Sequence, residues 1–192
     1  MNVKLVRLFG VFGIIAPIVG LTVISLAIWT APWFSWTGNA LSDLGVEGFT
    51  AAVFNAGLAM TGAVMMVFSL SIHEFTKGDT RGQAGFVLLL AASISLIGIG
   101  AFPETAGPVH YYLSVAFFVA LPLSLLALSI HLITNSMRNI GLFTAAAGAV
   151  AALVWVPRWS AAAVPEALSS LAVGLWSAVL GTWMTRIEEE WD

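Results

Sequence analysis

At residues 5–31 the chain reads LVRLFGVFGIIAPIVGLTVISLAIWTA, in which Arg7 is the only charged side chain. A helix needs about 20 mainly apolar residues to cross the hydrocarbon core of a bilayer. The stretch therefore predicts a membrane-spanning helix. Five more apolar stretches follow, at residues 51–73, 84–102, 109–134, 140–156 and 167–185. The sequence thus predicts an all-α fold, a polytopic integral membrane bundle of six helices that forms a single transmembrane domain over residues 1–192.

The amino-acid composition excludes an ordinary soluble domain. Hydrophobic residues make up 59% of the chain and charged residues 9%, with a mean hydropathy of +0.97, whereas about a quarter of the residues in soluble domains are charged. The chain has no cysteine, which excludes disulfides, thiolate metal sites and a cysteine nucleophile. A net charge of -3 gives no basic surface, so we predict no nucleic-acid partner.

Prolines mark several helix ends. Pro108 and Pro165 are each expected in a first helical turn, where the missing amide hydrogen costs nothing. The apolar stretch at 140–156 is the shortest of the six, because Pro157 stops it and its many alanines are only mildly apolar.

The distribution of Lys and Arg predicts the orientation in the membrane, because short cytoplasmic loops retain positive charge. If six helices alternate in direction, Arg158 lies on one side and all the other basic residues lie on the opposite side. Those others are Lys4, Arg7, Lys77, Arg81, Arg138 and Arg186. We therefore expect a multi-pass protein of the cell membrane with a cytoplasmic N-terminus and C-terminus.

Polar side chains gather on the predicted external side. They are Asp43, Glu47, Asn55, Glu104, His110 and Glu166. Because only Arg158 is basic there, the acids must stay hydrated, pair with Arg158, His110 or hydroxyls, bind a cation, or be protonated. Simple structural roles are also open: Asp43 would cap a short interfacial helix, and Asn55 would join two helices.

The leading interpretation is a ligand site at this external face. Its candidate residues are Ser42, Asp43, Asn55, Glu104 and His110. A helix N-terminus disfavours the imidazolium form of His110 and keeps a neutral ring available. Trp33, Trp36 and Trp159 frame the cluster, as amphipathic rings do at a membrane interface. We expect a protein without enzymatic activity that binds a membrane lipid or another small amphiphile; a homo-oligomer is left open.

Three other interpretations use the same few polar groups. A metal-dependent membrane hydrolase would take Asp43, Glu104 and His110 as ligands, but their spacing matches no established zinc motif, so no metal is the leading expectation. A proton-coupled carrier would use Asp43 and Glu104. A haem would sit between His73 and His131, which end two apolar stretches at the same cytoplasmic depth.

Four short segments resemble one known family: ALSDLG at 40–45, FNAGLAMTG at 54–62, GAFPE at 100–104 and HYYLSVAFF at 110–118. In order and spacing they are similar to a prokaryotic six-helix membrane family, the domain of unknown function DUF998. The resemblance implies a six-helix bundle with a set of characteristic residues at one membrane face, and it implies no activity. The set is Ser42, Asp43, Gly45, Asn55, Gly57, Pro103 and His110.

Overall fold

The computed structural model describes residues 1–188, and within that range the secondary structure is entirely helical. The predicted limit of the domain at residue 192 lies outside the described residues. The helices are α1 (Val3–Trp29), α2 (Gly48–Phe75), α3 (Thr80–Ala101), α4 (Pro108–Thr134), α5 (Arg138–Leu153) and α6 (Ala163–Met184). Two short 3₁₀ turns lie between them, the loop-1 turn (Leu41–Gly45) and the loop-2 turn (Glu104–Ala106). The prediction of an all-α membrane bundle with six helices is confirmed.

Five of the six helices are long and apolar enough to cross a bilayer, and α5 is the exception. It has 16 residues, which give about 24 Å at the α-helical rise, less than the roughly 30 Å of the hydrocarbon core. The predicted apolar stretch continued to residue 156. The helix ends earlier because a proline clashes with the carbonyl of the residue four positions before it, and for Pro157 that residue is Leu153, the last of α5. Beyond this end, the indole Nε1 of Trp159 donates to the carbonyl oxygen of Val154 at 2.6 Å.

The helices form a ring in chain order. Each helix packs against the next one along the chain, and α6 packs against α1 to close the ring. This arrangement places the connections between helices alternately at two ends of the bundle. The acidic end carries Asp43, Glu47, Glu104 and Glu166. The basic end carries Lys4, Arg7, Lys77, Arg81, Arg138 and Arg186.

The contact between α1 and α6 is close because both helices present glycine. A Cβ atom on Gly13 would lie 2.6 Å from the ring of Phe68 and 2.7 Å from the carbonyl oxygen of Ser177. Gly10 and Gly181 also lie at this contact. Next to it, the rings of Phe68 and Trp176 meet edge to face with centroids 5.9 Å apart. The indole Nε1 of Trp176 donates to the hydroxyl of Thr144 on α5 at 3.1 Å.

The outer surface of the bundle is apolar along its length. Leu8, Val87 and Leu175 are 58%, 57% and 62% exposed, as expected for side chains that face lipid. Trp and Tyr side chains that are at least 38% exposed surround the acidic end, which is the pattern of a membrane interface. They are Trp29, Trp33, Trp36, Tyr111, Tyr112, Trp155 and Trp159.

The first turns of α4 and α6 contain the prolines that the sequence predicts there. Pro108 is the first residue of α4, and Pro165 lies in the first turn of α6, as predicted. Gly107, just before α4, has φ of 63°, a left-handed conformation that glycine adopts without strain.

We predict that Gly13→Ala lowers the free energy of unfolding by about 1–3 kcal/mol. The new methyl group would overlap a backbone oxygen, which can move only if the helix itself shifts. Reversible unfolding in mixed micelles, followed by tryptophan fluorescence, measures the difference. Gly38→Ala is the matched control, since its Cβ would meet nothing closer than 3.4 Å. Equal stability of the two variants would contradict the close contact between α1 and α6.

Candidate functional site

The loop-1 turn is shaped by its own acid. The Oδ2 atom of Asp43 accepts hydrogen bonds from Asn39 Nδ2 at 2.6 Å and from the backbone N–H of Ala40 at 3.1 Å. An aspartate that satisfies free amide groups at the start of a helical turn stabilises that turn. The capping role considered for Asp43 is thus present in the structure.

Asp43 also meets Glu104 from the loop-2 turn. The Glu104 carboxyl lies near the Asp43 carboxyl and the Ser42 hydroxyl, and both affect its pKa. Partial desolvation raises the pKa of Glu104 above its usual range, and the neighbouring Asp43 raises it further. The Ser42 hydroxyl and His110 oppose this rise in the pKa.

His110, near the start of α4, is only 8% exposed. Its ring nitrogen Nδ1 lies 2.8 Å from the carbonyl oxygen of Phe102. A carbonyl oxygen can only accept, so Nδ1 carries the hydrogen and donates it. Among residues 1–188, no protein group makes a hydrogen bond to the other ring nitrogen, Nε2. In a neutral ring of this tautomer Nε2 is an acceptor.

Glu166, near the start of α6, connects that helix to the segment between α1 and α2, which we call loop 1. Its Oε2 atom accepts a hydrogen bond from the backbone N–H of Leu41 at 2.6 Å. Nearby, the backbone N–H of Ala163 donates to the carbonyl oxygen of Asn39 at 3.0 Å. Glu166 also lies within electrostatic range of Asp43 and Glu104. Three acids from three separate segments therefore meet at the acidic end.

A mostly apolar cavity opens below these groups inside the helix ring. Ser42, His110 and Glu166 lie among its lining residues at the acidic end, and we call these three the mouth of the cavity. The cavity has a volume of about 130 Å³. The lining reaches Leu121, which lies roughly 20 Å along α4 from its first residue.

Below the mouth the walls come from five helices, and α5 does not contribute. Large apolar side chains dominate these walls, including Phe54, Met65, Leu96, Phe117 and Leu121. Ser114 and Ser170 lie one turn below His110 and Glu166 on their helices and also line the cavity.

A family model described as "Protein of unknown function (DUF998)" matches residues 14–183. The chain belongs to the DUF998 family. No curated protein and no solved structure gives a significant match. The matched range contains the mouth, the loop-1 and loop-2 turns and most of the helix ring, so the resemblance noted in the sequence is confirmed.

In this DUF998 protein, two of the five candidate site residues, Ser42 and His110, line the cavity. Asp43 and Glu104 lie directly beside Ser42. Asn55 has a different position: its Nδ2 atom donates to the carbonyl oxygen of Gly45 at 2.9 Å and so fastens the loop-1 turn to α2. Asn55 is therefore an anchor for the turn and does not line the cavity.

The resemblance also pointed to glycine at two positions of the DUF998 protein. A Cβ atom on Gly45 would overlap the side chain of Asn55, so glycine lets the loop-1 turn lie against α2. Gly57 lies deeper in α2, in contact with Val23 of α1. Both positions serve helix and turn packing.

The sequence did not assign Glu166, Ser114 and Ser170 to the candidate site, although all three line the cavity. The signal was present, because Ser114 and Ser170 follow His110 and Glu166 by four residues, the spacing that places side chains on one face of a helix. The sequence did not show that these faces of α4 and α6 line the same cavity.

The metal alternative gains no support from the geometry. Among residues 1–188 no three His, Asp or Glu side chains come together in an arrangement that could hold a metal ion. The carrier alternative would use the carboxyl pair of Asp43 and Glu104, which does form.

The two histidines of the haem alternative have structural partners. His73 Nδ1 lies 2.8 Å from Gln83 Oε1, between α2 and α3. His131 Nδ1 lies 3.2 Å from Asp79 Oδ2, at the start of α3. A backbone hydrogen bond from Gly82 is the main reason that the pKa of Asp79 falls to about 2, so Asp79 is an ionised partner for His131. Both histidines thus fasten helix ends together.

Proposed function

We propose that this protein binds one membrane amphiphile, with the apolar chain in the cavity and the headgroup at the mouth. The observation that carries the proposal is the continuity between the two: Ser42, His110 and Glu166 line the same space as Met65 and Leu121. Pockets for small molecules are mostly apolar, with a few polar groups that fix orientation. The proposed role is binding, without a reaction.

The size and position of the cavity support an amphiphile in particular. A closed apolar space of about 150 Å³ in another protein admits a benzene-sized molecule, so a cavity of this volume fits part of a single alkyl chain. Its mouth lies at the end that carries the exposed aromatic residues, where headgroups are found in a bilayer. A molecule that is polar at one end and apolar at the other fits both surroundings.

Occluding the cavity tests the proposal. We expect the wild-type protein, transferred from its membrane into native mass spectrometry, to retain one amphiphile. Ser114→Phe and Ser170→Phe, on two different helices, each place a large ring against the cavity and should abolish retention. Ser25→Phe on the exposed side of α1 is the matched control and should retain the molecule. No retained amphiphile in the wild type, or equal retention in both occluded variants, would refute the proposal.

We also propose that both termini face the cytoplasm, so that the mouth opens at the external interface. The basic end carries every Lys and Arg of the chain except Arg158, which is the bias of cytoplasmic loops. Because the chain has no cysteine, a single introduced cysteine is the only thiol in the protein that a maleimide can label. In intact cells an impermeant maleimide should label Thr105→Cys, whereas Lys77→Cys should require permeabilised cells. Labelling of both from outside, or the reverse pattern, would contradict this orientation.

A further inference from the structure

We infer that the amphiphile carries a protonated primary amine, held at the mouth by the carboxyl groups of Asp43, Glu104 and Glu166 and by His110. This inference rests on the proposed function, since it assigns the headgroup of the molecule that the cavity binds.

The headgroup must decide which amphiphile is bound. An alkyl chain that leaves the bilayer for the cavity exchanges one apolar surrounding for another and gains little, because lipid tails are as apolar as the side chains of the walls. Selectivity among membrane amphiphiles therefore depends on the polar contacts at the mouth.

The acids at and beside the mouth favour a cation. The loop-1 turn supplies Asp43, the loop-2 turn Glu104 and α6 Glu166. Within residues 1–188, none of these acids forms an ion pair: the salt bridges join Lys77 to Glu74 and His131 to Asp79, at the basic end. Arg158 at the acidic end takes part in neither. An anionic headgroup would be repelled here, whereas a cation would be attracted.

His110 supplies a second, independent observation. It is more than nine-tenths buried, it lines the cavity, and its Nε2 atom has no hydrogen-bond partner within residues 1–188. This atom is accessible to small molecules, since no buried side-chain nitrogen or oxygen of the described residues lacks a partner, so a ligand that brings a donor can bond to it. A primary ammonium has three N–H donors, which can reach a carboxylate, the Ser42 hydroxyl and His110 Nε2. A quaternary ammonium has none.

A series of twelve-carbon amphiphiles that differ only in the headgroup tests the inference. The probes are dodecylammonium, dodecanol, dodecanoate and dodecyltrimethylammonium, added to the protein in phosphatidylcholine nanodiscs, with empty nanodiscs measuring uptake by lipid alone. Mass spectrometry counts the molecules retained per protein. We expect dodecylammonium to bind roughly tenfold tighter than the other three, since one charge-assisted hydrogen bond accounts for about that factor.

Variants identify the acids responsible. Glu104→Gln and Glu166→Gln keep the shape of the side chain and should each weaken binding of dodecylammonium severalfold, while binding of dodecanol stays constant. Glu47→Gln is the matched control, because Glu47 is an exposed acid at the same end, as Glu104 is, but it is not among the groups that act on Glu104 or Glu166. A loss of dodecylammonium binding in Glu47→Gln equal to that in Glu104→Gln would overturn the assignment.

The pH dependence has a definite sign. Dodecylammonium resembles a lysine side chain, whose pKa is about 10.4, and stays charged over the range of carboxyl titration. Because the pKa of Glu104 is raised, this carboxyl group takes up its proton at a higher pH than an ordinary glutamate. Its protonation removes the attraction between the carboxylate and the ammonium group. Protonation of Asp43, Glu166 or His110 acts in the same direction. Affinity for dodecylammonium should therefore fall with decreasing pH, and affinity for dodecanol should stay level.

The outcomes separate the two proposals. If no probe binds above the level of empty nanodiscs, the proposed function itself fails. If dodecanol or dodecanoate binds as tightly as dodecylammonium, the cavity takes amphiphiles but the amine assignment is wrong. If dodecyltrimethylammonium binds equally, charge alone suffices and the hydrogen-bonding role of His110 is refuted.

Discussion

The close contact between α1 and α6 is the interaction on which the rest of the structure depends. In lipid there is no hydrophobic force to bring helices together, so association relies on tight packing and small residues. Each of the other neighbouring pairs is also linked by a connecting segment, whereas α1 and α6 are the first and last helices and have none. Gly10, Gly13 and Gly181 let these two backbones approach and so close the ring around the cavity.

Closure of the ring also assembles the mouth. Loop 1 leaves α1 and is held against α6 by two hydrogen bonds, from Leu41 to Glu166 and from Ala163 to Asn39. Asn55 holds the other end of the loop-1 turn against α2. The turn is thus fixed on both sides, which places Ser42 at the cavity and Asp43 beside Glu104. Polar groups from distant parts of the chain meet because two helices pack closely.

Apolar length predicted the helices, and the alternation of their directions predicted that Asp43, Glu104 and His110 would share one end. Periodicity could not show that Asn55 is an anchor and Glu166 a cavity residue, because both roles depend on how the loop-1 turn folds back over the bundle. The early end of α5 was also hidden. Pro157 ends the helix by its clash with the carbonyl four residues back, at Leu153, and the alanine-rich sequence before it gives no sharp boundary.

If the amphiphile lies inside the helix ring with its chain pointing away from the mouth, the far end of the chain contacts the cavity walls. The most direct measurement is photolabelling in phosphatidylcholine nanodiscs with a dodecylamine that carries a diazirine at the end of its chain, followed by mapping of the labelled residues. We expect labels on the walls, at Met65, Leu96 or Leu121. Labels confined to lipid-facing positions such as Leu8, Val87 and Leu175 would contradict this arrangement.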